Sequence, residues 1–300
     1  MAKKKKFFLN KFSWWGPLLV GAAIGIGSQR IPEIKPYTDE LIQPIERSAF
    51  FKQLMSKLAP HKNNIYSADQ ELAFSHHYAK ESAHPGQPLS SFIIHRQGYS
   101  LAYDARHRNP TWVYEHLTAD KLKGDIDRSH FHFKEDEKIP SHLRATLADY
   151  KGHGLDQGHM APAADHRASA ETMDDTFYLT NMCPQCPQLN REYWSKVERN
   201  IRDLTKEYRN VYVITGPLYL PYNEGKRRFV KYQVIGPNEV AVPSHFFKVI
   251  ALENEQGNRE IRAYVLPNTI IPSNTPLDTF RTTVQKVEKA AGLIFFNQTH

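Results

Sequence analysis

The chain has 300 residues, 40% of them hydrophobic and 24% charged, and its mean hydropathy of -0.58 excludes a multi-span membrane protein in favour of a soluble body of one large or two small domains. Its formal charge of +7 suggests a polyanionic partner, but Lys3, Lys4, Lys5, Lys6, Lys11 and Arg30 lie in a first stretch of 32 residues without Asp or Glu, and removing these six leaves +1. Bulk charge therefore says little about the body; a nucleic-acid site there must come from local clustering.

Four lysines precede Phe7 and Phe8, and the 18 residues from Phe12 to Gln29 are uncharged, with Leu18, Leu19, Val20, Ala22, Ala23, Ile24 and Ile26 as an apolar run. Residues 1–30 therefore read as a signal, targeting or membrane-anchor segment. The run lies between a signal-peptide core and a spanning helix in length, and no clear small-x-small site follows, so cleavage and retention both stay open. Bacterial export to the periplasm or beyond and a mitochondrial inner-membrane or intermembrane-space address stay open too. Residues 31–90 are interrupted by Pro32, Pro36, Pro44 and Pro60, with a short apolar helix expected near Phe50 to Leu58, and read as a linker that wraps onto the body.

The globular domain is expected over residues 91–300. Phe92 to Ile94, then Tyr99, Leu101 and Tyr103 at alternate positions, predict two strands joined at Gln97-Gly98. Thr176 to Leu179 predicts a short strand, and Asn190 to Tyr208 a helix with Tyr193, Val197, Ile201, Leu204 and Tyr208 on one stripe. Strands follow over Val211 to Thr215, Val230 to Ile235, Phe246 to Leu252 and Ile261 to Leu266. A last helix from Thr283 to Ala291 ends at Gly292. The fold class is α+β with a mostly antiparallel sheet. The two cysteines, Cys183 and Cys186, exclude a disulfide framework. Cys-Pro-Gln-Cys lacks the βαβ setting of a redox motif and reads as incidental thiols or a local disulfide.

Chemistry concentrates between Asp156 and Glu198. Hydrolysis of a phosphodiester needs a base for water, a cation for the charge developing on phosphorus and the leaving oxygen, and donors that hold the phosphate. His159, placed after a glycine turn at Gly158, is a candidate base because imidazole titrates near neutrality. Asn190, Trp194 and Glu198 are spaced by fours, which puts them on one helical ridge where an amide oxygen and a carboxylate can serve one ion. The competing reading of the same residues is an asparagine cap followed by a surface glutamate. His245 falls in a strand pattern and reads as a structural, partly buried residue. His153 and His166 have no zinc-ligand spacing, and Lys226-Arg227-Arg228 reads as a solvated hairpin tip or a phosphate contact.

Together, Asp156-Gln157-Gly158-His159, Asp174 to Met182, Leu189-Asn190, Trp194, Glu198, Thr215-Gly216-Pro217-Leu218 and Val242 to Lys248 resemble the DNA/RNA non-specific endonucleases, in the endonuclease G branch. The resemblance runs from about Tyr99 to Phe296. It implies a ββα-metal finger embedded in the antiparallel-sheet domain. It also implies a magnesium-dependent nuclease acting on DNA and RNA, with manganese as a substitute ion, and a homodimer. The roles it carries over are water activation for His159, the single protein ligand of hydrated magnesium for Asn190, ordering of the ion's waters for Glu198, and phosphate contacts for Asn181 and Arg128.

One departure stands out. The family has arginine where this chain has Gln157, so a fixed charge and a fork of donors are replaced by an amide. That exchange keeps a nucleic-acid-binding protein with weakened catalysis in play, and the anchor-like terminus with the nearly neutral body keeps a second alternative, a membrane-tethered interaction protein that uses the fold without nucleic acid.

Overall fold

The computed structural model describes residues 92–296; the expected targeting segment, linker and Phe50 to Leu58 helix lie outside them. A seven-stranded sheet carries the domain. Its strands are β1 (Phe92–His95), β2 (Tyr99–Asp104), β3 (Asn109–Leu117), β6 (Asn210–Leu218), β11 (His245–Glu253), β12 (Arg259–Pro267) and β13 (Arg281–Thr282), adjacent in that order. All six pairings are antiparallel. Three two-stranded sheets lie apart from it: β4 (Asp156–His159) with β5 (Met182–Gln185), β7 (Tyr222–Glu224) with β8 (Arg227–Phe229), and β9 (Val234–Ile235) with β10 (Val240–Ala241).

The central strand shows why its sequence is a continuous apolar run. β11 is paired on both edges and covered on both faces, so Phe246, Ile250 and Leu252 enter one core while Phe247 and Val249 enter another. Each such side chain contributes about 1.5–3 kcal/mol of burial. The first core also takes Tyr193, Trp194, Val197 and Ile201, and so seats helix α2 (Ser195–Asp203) and the π-helical turn Leu189–Trp194 before it against the sheet. On the second core lies helix α3 (Val284–Ala291), where Thr283 accepts from the Lys286 amide and Gly292 closes the end at φ 69°.

Four expectations need correction. Residues Thr176 to Leu179 are a turn after helix α1 (Ala170–Asp175), not a strand: Thr176 turns its hydroxyl back to the Met173 carbonyl, and Phe177 and Leu179 are buried in different clusters. The helix expected from Asn190 to Tyr208 is an unbroken helical run over residues 189–206, but not a regular one, since it opens as a π turn before α2 and closes as a 3₁₀ turn at Leu204–Lys206. Val230 to Ile235 forms no long strand, because Val230 and Val234 have no core to enter and only Val234–Ile235 pairs. His159 does not follow a glycine turn; Gly158 is inside β4, where a Cβ would sit 2.1 Å from the Gln185 amide oxygen.

Candidate active site

The site is a ββα finger. β4 and β5 pair with Asp156 opposite Gln185 and His159 opposite Met182, and the π turn and α2 follow β5. The fully buried Trp194 ties the parts together: its indole N–H reaches the His159 carbonyl at 3.4 Å and its ring lies 5.5 Å from that of Phe246. The two-residue period of a strand puts Gln157 and His159 on one face of β4 and Asp156 on the other.

His159 is buried between two aromatic rings, with Phe133 at 5.5 Å and Phe177 edge-on at 5.3 Å. Its Nε2 is buried without a partner, which leaves Nδ1 as the nitrogen open to a substrate water. Desolvation, aided by the charges of Arg128 and His166, pushes its pKa down to about 3. The imidazole is therefore uncharged at neutral pH, the state in which a general base starts, and the same shift makes it a weaker base than a solvated imidazole.

Asn190 is held by its nitrogen. Nδ2 donates to Asp156 Oδ2 at 2.9 Å, and the exposed Arg191 grips the same carboxylate with Nε at 2.8 Å and Nη2 at 2.6 Å. The amide flip is thereby fixed, and among the described residues Oδ1 has no protein donor. Among the described residues no group of three or more His, Cys, Asp or Glu side chains could hold a metal ion. One amide oxygen as donor fits a hard cation that keeps most of its water, not a zinc centre.

Asn190, in the π turn, and Glu198, in α2, are partly buried, and Trp194 between them in sequence is fully buried. Glu198 has its carboxyl pushed up to about 8, chiefly by desolvation, against the pull of the Lys248 charge. Arg128 is exposed, with its guanidinium 5.9 Å from the Phe177 ring centre, on the aromatic wall that also packs His159. Gln157 is partly buried on the face of His159. Asn181 stands apart from the rest. It is fully buried, its Oδ1 accepts from the Ala161 amide, and its Nδ2 donates to the carbonyls of Ala161 and Thr176, all at 2.9 Å. The expected phosphate contact is therefore a clamp on the backbone just beyond His159, with no amide hydrogen left for substrate.

Behind the finger lies a group of buried charges that sequence reasoning missed. Glu115 of β3 bonds His166 at 2.9 Å, Asp165 bonds Arg202 of α2 at 2.7 Å, and Lys248 of β11 donates to Thr215 at 2.8 Å. Glu115, inward-facing between Val113 and Leu117, and Lys248 within an apolar run were the visible signals. His245 is partly buried at the start of β11, and Lys226, Arg227 and Arg228 are exposed at the β7–β8 hairpin. Cys183 and Cys186 are free thiols.

The model of the DNA/RNA non-specific endonuclease family matches residues 80–300. The chain is 48% identical to "Endonuclease G, mitochondrial" of Homo sapiens over 216 residues, 72% of this chain and 73% of that one. It is likewise 48% identical to "Nuclease C1" of Cunninghamella echinulata var. echinulata, over 69% of this chain and 83% of that one. Among solved structures, a chain of the EndoG/EndoGI complex, described as showing the mechanism of EndoG inhibition, superposes with a TM-score of 0.69 at 42% identity, over 79% of this chain and 95% of that one.

Proposed function

The chain belongs to the DNA/RNA non-specific endonucleases, a family of metal-dependent phosphodiester hydrolases, and we propose that within this activity His159 is the general base and Asn190 the single protein ligand of a hydrated magnesium ion. The observation that carries the reading is the seat of His159, where aromatic burial keeps the imidazole uncharged and leaves Nδ1 for water. Taking a proton from water there makes the nucleophile, and positioned base catalysis of this kind contributes about 10²–10⁴-fold.

Asn190, with its amide nitrogen tied to Asp156, presents Oδ1 to the ion. Bound there, magnesium supplies positive charge to the phosphate and the leaving oxygen. Glu198 makes no hydrogen bond to the protein among the described residues, so its carboxyl oxygens are open to the ion's waters, and the charge of a bound ion would draw off the proton that burial otherwise keeps on it. Arg128 meets the substrate phosphate, Gln157 gives it an amide contact in place of a charged one, and Asn181 holds the chain after His159 in register. The protein acts as a homodimer in the mitochondrion; the human relative's printed name supports that address.

The test is cleavage of supercoiled DNA, linear DNA and RNA by the purified protein, with magnesium, manganese or EDTA. Cleavage of all three substrates with either metal and none with EDTA is expected. Cleavage that persists in EDTA would overturn the metal assignment.

A further inference from the structure

We propose that Arg191 is a substrate-binding residue: a guanidinium held on Asp156 that meets a phosphate of the nucleic-acid backbone beside the metal site. It rests on the reading of Asn190 as the ion's ligand, because the ion is what brings substrate phosphate to this end of the finger.

Arg191 follows Asn190 in the π turn, and the two side chains share one carboxylate. Asp156 Oδ2 accepts from Asn190 Nδ2 at 2.9 Å and from Arg191 Nε at 2.8 Å, while Oδ1 accepts from Arg191 Nη2 at 2.6 Å. The cation is thus joined to the metal ligand through a single carboxylate, and it engages that group with one edge of its fork. Nε and one hydrogen of Nη2 are used there. The hydrogens of Nη1 and the second on Nη2 have no protein acceptor among the described residues.

Stability does not account for this pair. The Arg191 side chain is 69% exposed, and an ion pair so open to water adds little to folding. What the pairing does is order a long side chain at the rim of the site. An arginine already held loses less freedom when it binds, and its planar fork matches the oxygens of a phosphate. The pairing also offsets a charge that would oppose substrate, since without Arg191 the Asp156 carboxylate would repel an incoming phosphodiester.

The place of this cation in the chain adds to the case. Gln157, where the family carries arginine, is the residue after Asp156, so Arg191 returns a guanidinium to the neighbouring strand position. Arg128 stands at the aromatic wall that packs His159, and Arg191 at the metal ligand. A backbone that passes from His159 to Asn190 therefore meets a cation near each.

The test is binding of a DNA duplex by the full chain in EDTA over a series of salt concentrations, for the unaltered protein, R191Q and R191K. Each phosphate contact contributes about 0.9 to the slope of log affinity against log salt. R191Q should lose about that much slope and bind on the order of tenfold more weakly at low salt, whereas R191K, which keeps the charge, should keep the slope. Because Arg191 is exposed, both variants should melt near the unaltered protein. An unchanged slope in R191Q overturns the proposal; if R191Q then also needs more magnesium for half-maximal cleavage, Arg191 serves only to hold Asp156. An equal loss of slope in R191K overturns it too, because charge is then not what the slope reads. An unchanged slope in R191Q beside a raised magnesium requirement in Asn190→Ala overturns this proposal alone, whereas an unchanged magnesium titration in Asn190→Ala overturns the placement of the ion and this proposal with it.

Discussion

His159 and His166 stand seven residues apart in one segment, both under a tenth exposed, and their surroundings drive them to opposite charge states. The ring of His159 meets Phe133 and Phe177 and has no hydrogen-bonding partner at Nε2, so burial takes its proton away. The ring of His166 is as deeply buried, and burial pulls its pKa down too. There the Glu115 carboxylate at 2.9 Å outweighs that pull and holds it above the usual imidazole range. Burial alone keeps an imidazole unprotonated; burial with a carboxylate in contact makes a structural cation.

The comparison breaks most sharply at His159. His159→Ala should lower cleavage by about 10²–10⁴-fold, while binding of DNA in EDTA stays near that of the unaltered protein. Near-normal turnover would remove the base from the account. Next, Asn190→Ala should lower the rate and raise the magnesium concentration needed for half-maximal activity. Asp156→Asn, which loosens the hold on the Asn190 amide, should cost about 10–100-fold in metal affinity. An unchanged magnesium titration in both variants would place the ion elsewhere.

On the other side of the comparison, Glu115→Gln should unpair His166 and cost about 3 kcal/mol, as loss of one partner from a buried ion pair does. The sign of its pH dependence follows from the raised pKa. The stabilisation is fully present below the unfolded value of 6.5 and is lost as pH rises through the folded value, so the fall in Tm should be larger at pH 6 than at pH 9. An equal fall at both would mean that His166 is not charged in the folded protein. The smallest effect is expected at Gln157, which shares a strand face with His159. Gln157→Arg restores a charge-assisted contact, and about 1.4 kcal/mol of it acting in the transition state would raise turnover on the order of tenfold. If Gln157→Arg is no faster and Gln157→Ala is equally active, residue 157 does not meet the substrate.

Much of this site was legible because its chemistry is local. Spacing by fours groups Asn190, Trp194 and Glu198 in the sequence, whereas the strand face that Gln157 shares with His159 stayed hidden behind the reading of a glycine turn where β4 runs. The strands β1, β2, β6, β11 and β12 were legible from apolar runs, and α3 from its closing glycine. What stayed hidden depends on distant partners. β3 was missed because Glu115 interrupts its inward alternation, and the reason for a glutamate there is His166, 51 residues away. The spacing of Asn181 from His159 was visible, but its bonds to Ala161 and Thr176, which turn a phosphate contact into a backbone clamp, were not. Asp156 was read as part of a motif; its grip on Asn190 and Arg191 across 34 and 35 positions appears only in the folded chain.

The central claim, that the fold strips the proton from His159 and keeps one on His166, is tested most directly by following the ring resonances of the two histidines by NMR as pH is lowered from 9 to 4. The account predicts that His159 stays uncharged across the range, consistent with a pKa of about 3, while the midpoint of His166 lies above 6.5. A His159 midpoint near 6.5, or a His166 midpoint below it, would contradict the account.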